Sequence, residues 1–103
     1  MNFGQVLINL FISIFIYNFM KIKIIKNKNI QDFINWSIWE CPTSKFNWEY
    51  DKEEHCFIIK GDIIVSTKNQ TVNISKGDYV IFPKNLKCYW EVIKPVKKYY
   101  IFK

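Results

Sequence analysis

The chain contains no arginine, no alanine and one histidine, and it has only three cysteines, three glycines and three prolines in 103 residues. Each shortage removes a class of protein. Without arginine, the bidentate contacts that proteins most often make to phosphate and guanine are missing, so the net charge of +6 is weak support for a nucleic-acid partner. Composition accounts for the lysine surplus on its own: Ile, Lys, Asn and Phe, all with AT-rich codons, dominate the chain. Nucleic acid is therefore not an expected partner. Cys41, Cys56 and Cys88 are odd in number, form no CxxC pair and have no histidine near them except His55 next to Cys56. That pattern supports neither a disulfide framework nor a zinc site, and the three read as free thiols in a reducing compartment. The few glycines and prolines exclude collagen-like and linker character, and the length excludes two separate cores.

What is abundant is apolar surface: 50% of the residues are hydrophobic and 18% aromatic. Such a chain folds. The first stretch is a different material from the rest, with no charged side chain from Asn2 to Met20 and an almost unbroken apolar run from Val6 onward. Its length reaches the lower end of the roughly 17 to 25 residues that span a bilayer, while the strongly apolar part fits a signal-peptide core. Three readings stand side by side. The segment is an anchor whose flanking Lys21, Lys23, Lys26 and Lys28 keep the domain on the cytosolic side, or a cleaved signal, or a stretch upstream of a true start at Met20. A plastid-type leader, with a plastid-like organelle as the location, is a further reading, although the basic residues it needs belong to the first strand of the domain. The chain is divided accordingly into an apolar leader, 1–20, with membrane association as its expectation, and a domain, 21–103, that is cytoplasmic or tethered facing the cytosol.

After Met20 the hydrophobic period is two. Lys45-Phe46-Asn47-Trp48-Glu49-Tyr50 alternates polar and aromatic, which places Phe46, Trp48 and Tyr50 on one face of a strand. Residues 87–92 do nearly the same, and 56–60, 62–67, 71–74 and 79–82 are β-rich runs bounded by turn residues. Only 29–35 looks helical, with Ile30, Phe33 and Ile34 on one side. About eight short strands without a repeat or linker predict an all-β fold, a small antiparallel jelly roll or barrel with one short helix and the apolar N-terminal extension. Closure of that barrel would remove its exposed edges.

Gly77 and Pro83 are separated by five residues, and Glu54 and Gly61 by six, in the order and spacing of the two cupin motifs. Individually, such glycines also serve as ordinary turn positions and such a proline as a strand terminator. Together with Trp36-Ser37-Ile38-Trp39-Glu40-Cys41, Lys76-Gly77-Asp78, Cys88-Tyr89-Trp90-Glu91-Val92 and Lys98-Tyr99, they make the sequence resemble the cupin superfamily, and within it the small single-domain group related to the (S)-ureidoglycine aminohydrolase cupin domain. The resemblance runs from about Lys21 to Phe102. It implies the cupin jelly roll and, in enzymatic members, a divalent metal held by His-x-His, a glutamate and a further histidine. Carried over, those positions are Trp48, Tyr50, Glu54 and Cys88. Cysteine at the last position is a feature the narrower group shares, so the resemblance implies a domain without metal or other cofactor. His55 follows Glu54 and by strand parity points to the opposite, outer face.

Parity from Glu54 and Cys88 puts Phe46, Trp48, Tyr50, Glu54, Cys56, Cys88 and Trp90 at the barrel mouth. This aromatic box would stack a flat or cationic small molecule with Glu54 as its anchor, or would simply fill a small barrel. Glu54 is either a structural carboxyl or a general acid or base. Cys88 is the other catalytic candidate, but with Lys87 and His55 pointing away it has no activating partner and reads as structural. Glu40 and Asp78 read as turn and surface groups. Three functions follow. The first is metal-free binding of a small polar or aromatic ligand, with Phe46, Trp48, Tyr50, Glu54, Cys88 and Trp90 as the binding residues. The second, implied by the resemblance, is an aminohydrolase-like enzyme. The third is a membrane-tethered or homodimeric interaction module.

Overall fold

The computed structural model describes residues 9, 10, 12 and 20–103. Most of the apolar leader, and with it the anchor and signal readings, lies outside the described residues. Among those residues no helix is long and apolar enough to cross a membrane.

Seven antiparallel strands make up the domain: β1 (Lys23–Ile25), β2 (Ser37–Cys41), β3 (Ser44–Glu49), β4 (Glu54–Ser66), β5 (Thr71–Ser75), β6 (Tyr79–Phe82) and β7 (Lys87–Phe102). Two of them are long and organise the rest. The first half of β4 pairs with β6 and with the C-terminal half of β7, and its second half pairs with β5 and with the N-terminal half of β7. β7 in turn carries β3 along residues 87–92 and β2 along residues 96–100. The register of β4 slips between Ile58 and Ile63, where Gly61 adopts φ +119°. A Cβ at Gly61 would lie 2.7 Å from the Val96 Cα and 2.9 Å from the Pro95 carbonyl oxygen, so backbone passes backbone at this corner and only glycine fits. The bulge shifts the inward-facing residues from Glu54, Cys56 and Ile58 to Ile63 and Val65. With Val80, Phe82, Ile74, Trp90, Val92 and Val96 they form one core.

The all-β antiparallel architecture is as the sequence predicts, with three differences. The runs 56–60 and 62–67 are one bent strand, and the run 87–92 continues through Pro95 to Phe102. The sheet does not close: β1 and β2 remain at the ends of the strand order among the described residues. The helix expected over 29–35 is a four-residue 3-10 turn, Ile30–Phe33, started by Asn29 Oδ1 accepting from the Gln31 N–H. Only Phe33 is buried, stacked on Phe57 at 5.0 Å between ring centroids, and Ile30 and Ile34 stay exposed. The outer face of the first half of β4 carries side-chain packing of its own. His55 does point away from Glu54, but it is buried there, with Nδ1 2.5 Å from the Tyr79 hydroxyl and Nε2 2.8 Å from Glu53. Phe33, Trp36, Phe57 and Tyr79 form a small aromatic layer around it.

Candidate functional site

The inward face of the first half of β4 meets three aromatic-rich strands. Trp39 comes from β2, Phe46 and Trp48 from β3, and Trp90, Tyr100 and Phe102 from β7, with Tyr50 just beyond β3. Their rings wall a cavity of about 330 Å³. Phe46 lies opposite Trp90 in the ladder and stacks on it at 5.7 Å, and Trp39 meets the same indole edge-on at 6.0 Å. Tyr50 is buried and stacks on Phe82. Trp48 and Phe102 form the rim, each about half exposed.

At the base of these rings sits a charge pair that composition and parity did not suggest. Lys98 Nζ donates to Glu54 Oε2 at 2.7 Å, with both side chains almost fully buried. The Tyr50 hydroxyl donates to the other oxygen, Oε1, at 2.9 Å. Both oxygens of the carboxylate are therefore engaged, which is what a buried charge requires. The Lys98 ammonium also lies over two ring faces, 4.6 Å from the Trp39 centroid and 4.9 Å from that of Trp90. Lys98 belongs to the cavity because it alternates with Val96 and Tyr100 on the inward side of β7. A lysine between Lys97 and Tyr99, whose carboxylate partner is 44 residues away, gives no local sign of burial.

Burial pushes the Tyr50 phenol well above its usual range, and the neighbouring Glu54 charge adds to the effect. Burial likewise raises the Cys88 thiol from about 9 to about 11, with the Trp90 indole acting against the shift. Among the described residues that buried indole N–H nevertheless has no hydrogen-bond partner of ordinary geometry. Cys56 is pushed up to about 12 by complete burial, with the Lys98 charge opposing.

The sequence-derived residues thus separate. Phe46, Trp48, Tyr50, Glu54 and Trp90 line the cavity, with Trp48 at its rim rather than in the core. Cys56 lies in the core and not at the mouth. Cys88 also lies outside the cavity, its thiol donating to the Trp48 carbonyl oxygen at 3.6 Å. Lys98, Tyr100 and Phe102 share the parity of Cys88 but lie beyond residue 92, where the sequence reading ends that strand, and Trp39 comes from β2, so all four were missed. Glu40 is an exposed group 3.9 Å from Lys97. Asp78 does sit in a turn but is buried and not at the surface: it accepts from the Ser75 N–H at 2.9 Å and pairs with Lys26.

Two bent strands, the glycine corner and a cavity on the inward face are the arrangement that the resemblance to the cupin superfamily implies. Within that superfamily, residues 30–100 match the EutQ-like cupin domain. A DUF861 family protein from Thermotoga maritima is 39% identical, with a TM-score of 0.76, 81% of this chain covered and 100% of that one. The chain belongs to the EutQ-like cupin family. The Clostridium difficile EutQ protein (17% identity, TM-score 0.59, 79% of this chain and 66% of that one) and a cupin superfamily protein from Desulfitobacterium hafniense (11%, 0.56, 80% and 76%) share the fold. No match was found among curated proteins.

The divalent metal of enzymatic cupins does not fit the residues present. Trp48 offers no donor atom, the Tyr50 O–H is donated to Glu54 Oε1, and the Cys88 thiol lies outside the cavity and donates to the Trp48 carbonyl oxygen. Glu54 already has a cation, the Lys98 ammonium, 2.7 Å away. A dication beside it would add like charges in a desolvated site. Among the described residues no group of three His, Cys, Asp or Glu side chains converges.

Proposed function

We propose that this chain is a metal-free cupin that binds a small planar organic molecule among the rings of its open cavity. One observation carries the reading: a cavity of about 330 Å³, within the size range of small-molecule sites, combines ring walls with a few fixed polar groups at its base. A box that served only as core filling would have its rings packed throughout. Here Trp90 and Tyr50 are packed, whereas Trp48 and Phe102 at the rim leave about half their surface available to a guest. The aminohydrolase-like alternative needs an acid–base group free to meet substrate, and both oxygens of Glu54 are already occupied.

Tryptophan fluorescence tests the proposal directly, because Trp39, Trp48 and Trp90 all line the cavity. Titration of EDTA-dialysed protein with a panel of single-ring aromatic compounds is expected to give saturable quenching. Trp48→Ala is expected to weaken it without lowering the melting temperature appreciably. Absence of saturation across the panel, or saturation only after a divalent metal is restored, overturns the proposal.

A further inference from the structure

We infer that the ligand of this cavity is an anion, a small planar carboxylate recognised by the Lys98 ammonium, an inference that rests on the binding function proposed above. The polar groups at the base are unequally committed. Glu54 has one donor on each oxygen, Tyr50 on Oε1 and Lys98 on Oε2. The ammonium has three N–H groups, among the described residues its charged oxygen acceptor is Glu54 alone, and the ring faces of Trp39 and Trp90 lie within 5 Å of it. Ring faces are weaker partners than an anionic oxygen, and charge-assisted hydrogen bonds to carboxylate are among the strongest available. The base of the cavity therefore has donors to spare. A carboxylate entering among the rings would complete the ammonium's shell while its planar body stacks against Trp39, Phe46 or Trp48.

The same geometry argues against a cation, which the aromatic lining alone would favour. The faces of Trp39 and Trp90 that would attract it already carry the Lys98 charge at under 5 Å. A second positive group there would face that charge across a poorly solvated gap, and Glu54 has been neutralised by the pairing. A neutral ring would meet no such repulsion, but it would leave the two spare N–H donors unanswered.

Benzoate, benzamide and benzylamine share one ring and differ in head-group charge, so they separate these cases. With full-length protein at neutral pH, benzoate is expected to bind at least about tenfold more tightly than benzamide, and benzylamine not to saturate. Lys98→Gln should remove the preference for benzoate over benzamide. Glu54→Gln keeps the ammonium and frees it from its internal carboxylate, so benzoate should bind more tightly in that variant. If Lys98→Gln fails to fold, the Glu54→Gln result decides alone. Binding of all three probes with equal affinity, a preference for benzylamine, or weaker benzoate binding in Glu54→Gln overturns the anion assignment while leaving a ligand-binding cavity. No saturation by any of the three overturns the binding function itself.

Discussion

Trp90 and Trp48 carry the same side chain on neighbouring strands and contribute in opposite ways. Trp90 is 2% exposed and touches Phe46, Phe82 and Trp39 through its ring, whereas Trp48 is 50% exposed and among the described residues its one ring contact is Tyr50, met edge-on. Trp90→Ala is expected to cost about 3 to 5 kcal/mol in denaturant unfolding, and Trp48→Ala less than about 1 kcal/mol. Equal losses in the two variants would show that the rim and the core are not distinct. The buried thiols make a second prediction, with a definite sign. Unfolded thiols ionise near pH 9, while the folded chain holds the Cys88 proton to about 11 and the Cys56 proton to about 12. Above pH 9 these thiols keep more protons in the folded state than in the unfolded one, so their contribution to stability is constant below that pH and is lost as pH rises from about 9 through 11 to 12. The raised Tyr50 phenol adds to the loss from pH 10 upward. Thermal melts from pH 7 to 10.5 should show the decline, with a shallower slope in a Cys56→Ala, Cys88→Ala double variant; a melting temperature that holds or rises over this range contradicts it. Individual residues were legible in the sequence only where a rule acts locally. Strand parity places Phe46, Tyr50 and Glu54 inward, but neither the exposure of Trp48 nor the burial of Lys98 follows from neighbours in the chain. The first depends on β3 ending at the rim, and the second on a carboxylate contributed by another strand.

At the scale of the strands, the two domain glycines look alike in sequence and do different work. Gly77 has φ +90° in the turn before β6 and open space where a Cβ would go, while Gly61 has φ +119° and the Val96 backbone 2.7 Å from that position. Gly77→Ala therefore meets only backbone strain, about 1 to 3 kcal/mol, partly offset by a stiffer unfolded chain. Gly61→Ala meets the same strain and a collision with backbone that no side-chain rotation relieves. Chemical denaturation should rank Gly61→Ala well below Gly77→Ala, and the reverse order would mean that the corner between β4 and β7 can open without cost. This corner also explains which element boundaries the sequence hides. Gly61 and Pro95 read locally as breaks, so each long strand looks like the end of one short strand and the start of another. Proline and glycine are tolerated inside β4 and β7 because the register shifts there and the ladder has already lapsed. The 3-10 turn was overestimated for a related reason: three apolar residues at helical spacing mark a face, but only Phe33 finds a ring to pack against.

For the molecule as a whole, the period-two pattern together with the two glycine motifs made the jelly roll legible, whereas closure was inferred from the cost of exposed edges and does not occur. The open ends of the sheet are managed differently. β1 is three residues long, begins with Lys23 and is followed directly by Lys26, and a short, lysine-bearing edge is a poor template for further pairing. What holds this edge bears on where the domain starts. Gln70 fastens Ile22 from both sides, its Oε1 accepting from the Ile22 N–H at 2.9 Å and its Nε2 donating to the Ile22 carbonyl at 3.1 Å, and the Ile22 side chain is buried in the core. The described ladders run from Lys23 to Phe102, and the hydrophobic cluster with its packed neighbours runs from Met20 to Tyr100. A chain of residues 20–103 therefore contains the whole described core and the contacts that pin its first strand. It is expected to give a β-type far-UV spectrum and a single cooperative melt without detergent. An unfolded truncated chain in mild salt, with full-length protein folded in detergent, would place residues before Met20 in the folding unit. A truncation at residue 23 supplies the contrast: it removes Ile22, leaves Gln70 without either partner, and should destabilise the β1–β6 edge while leaving the β4–β7 ladder to fold.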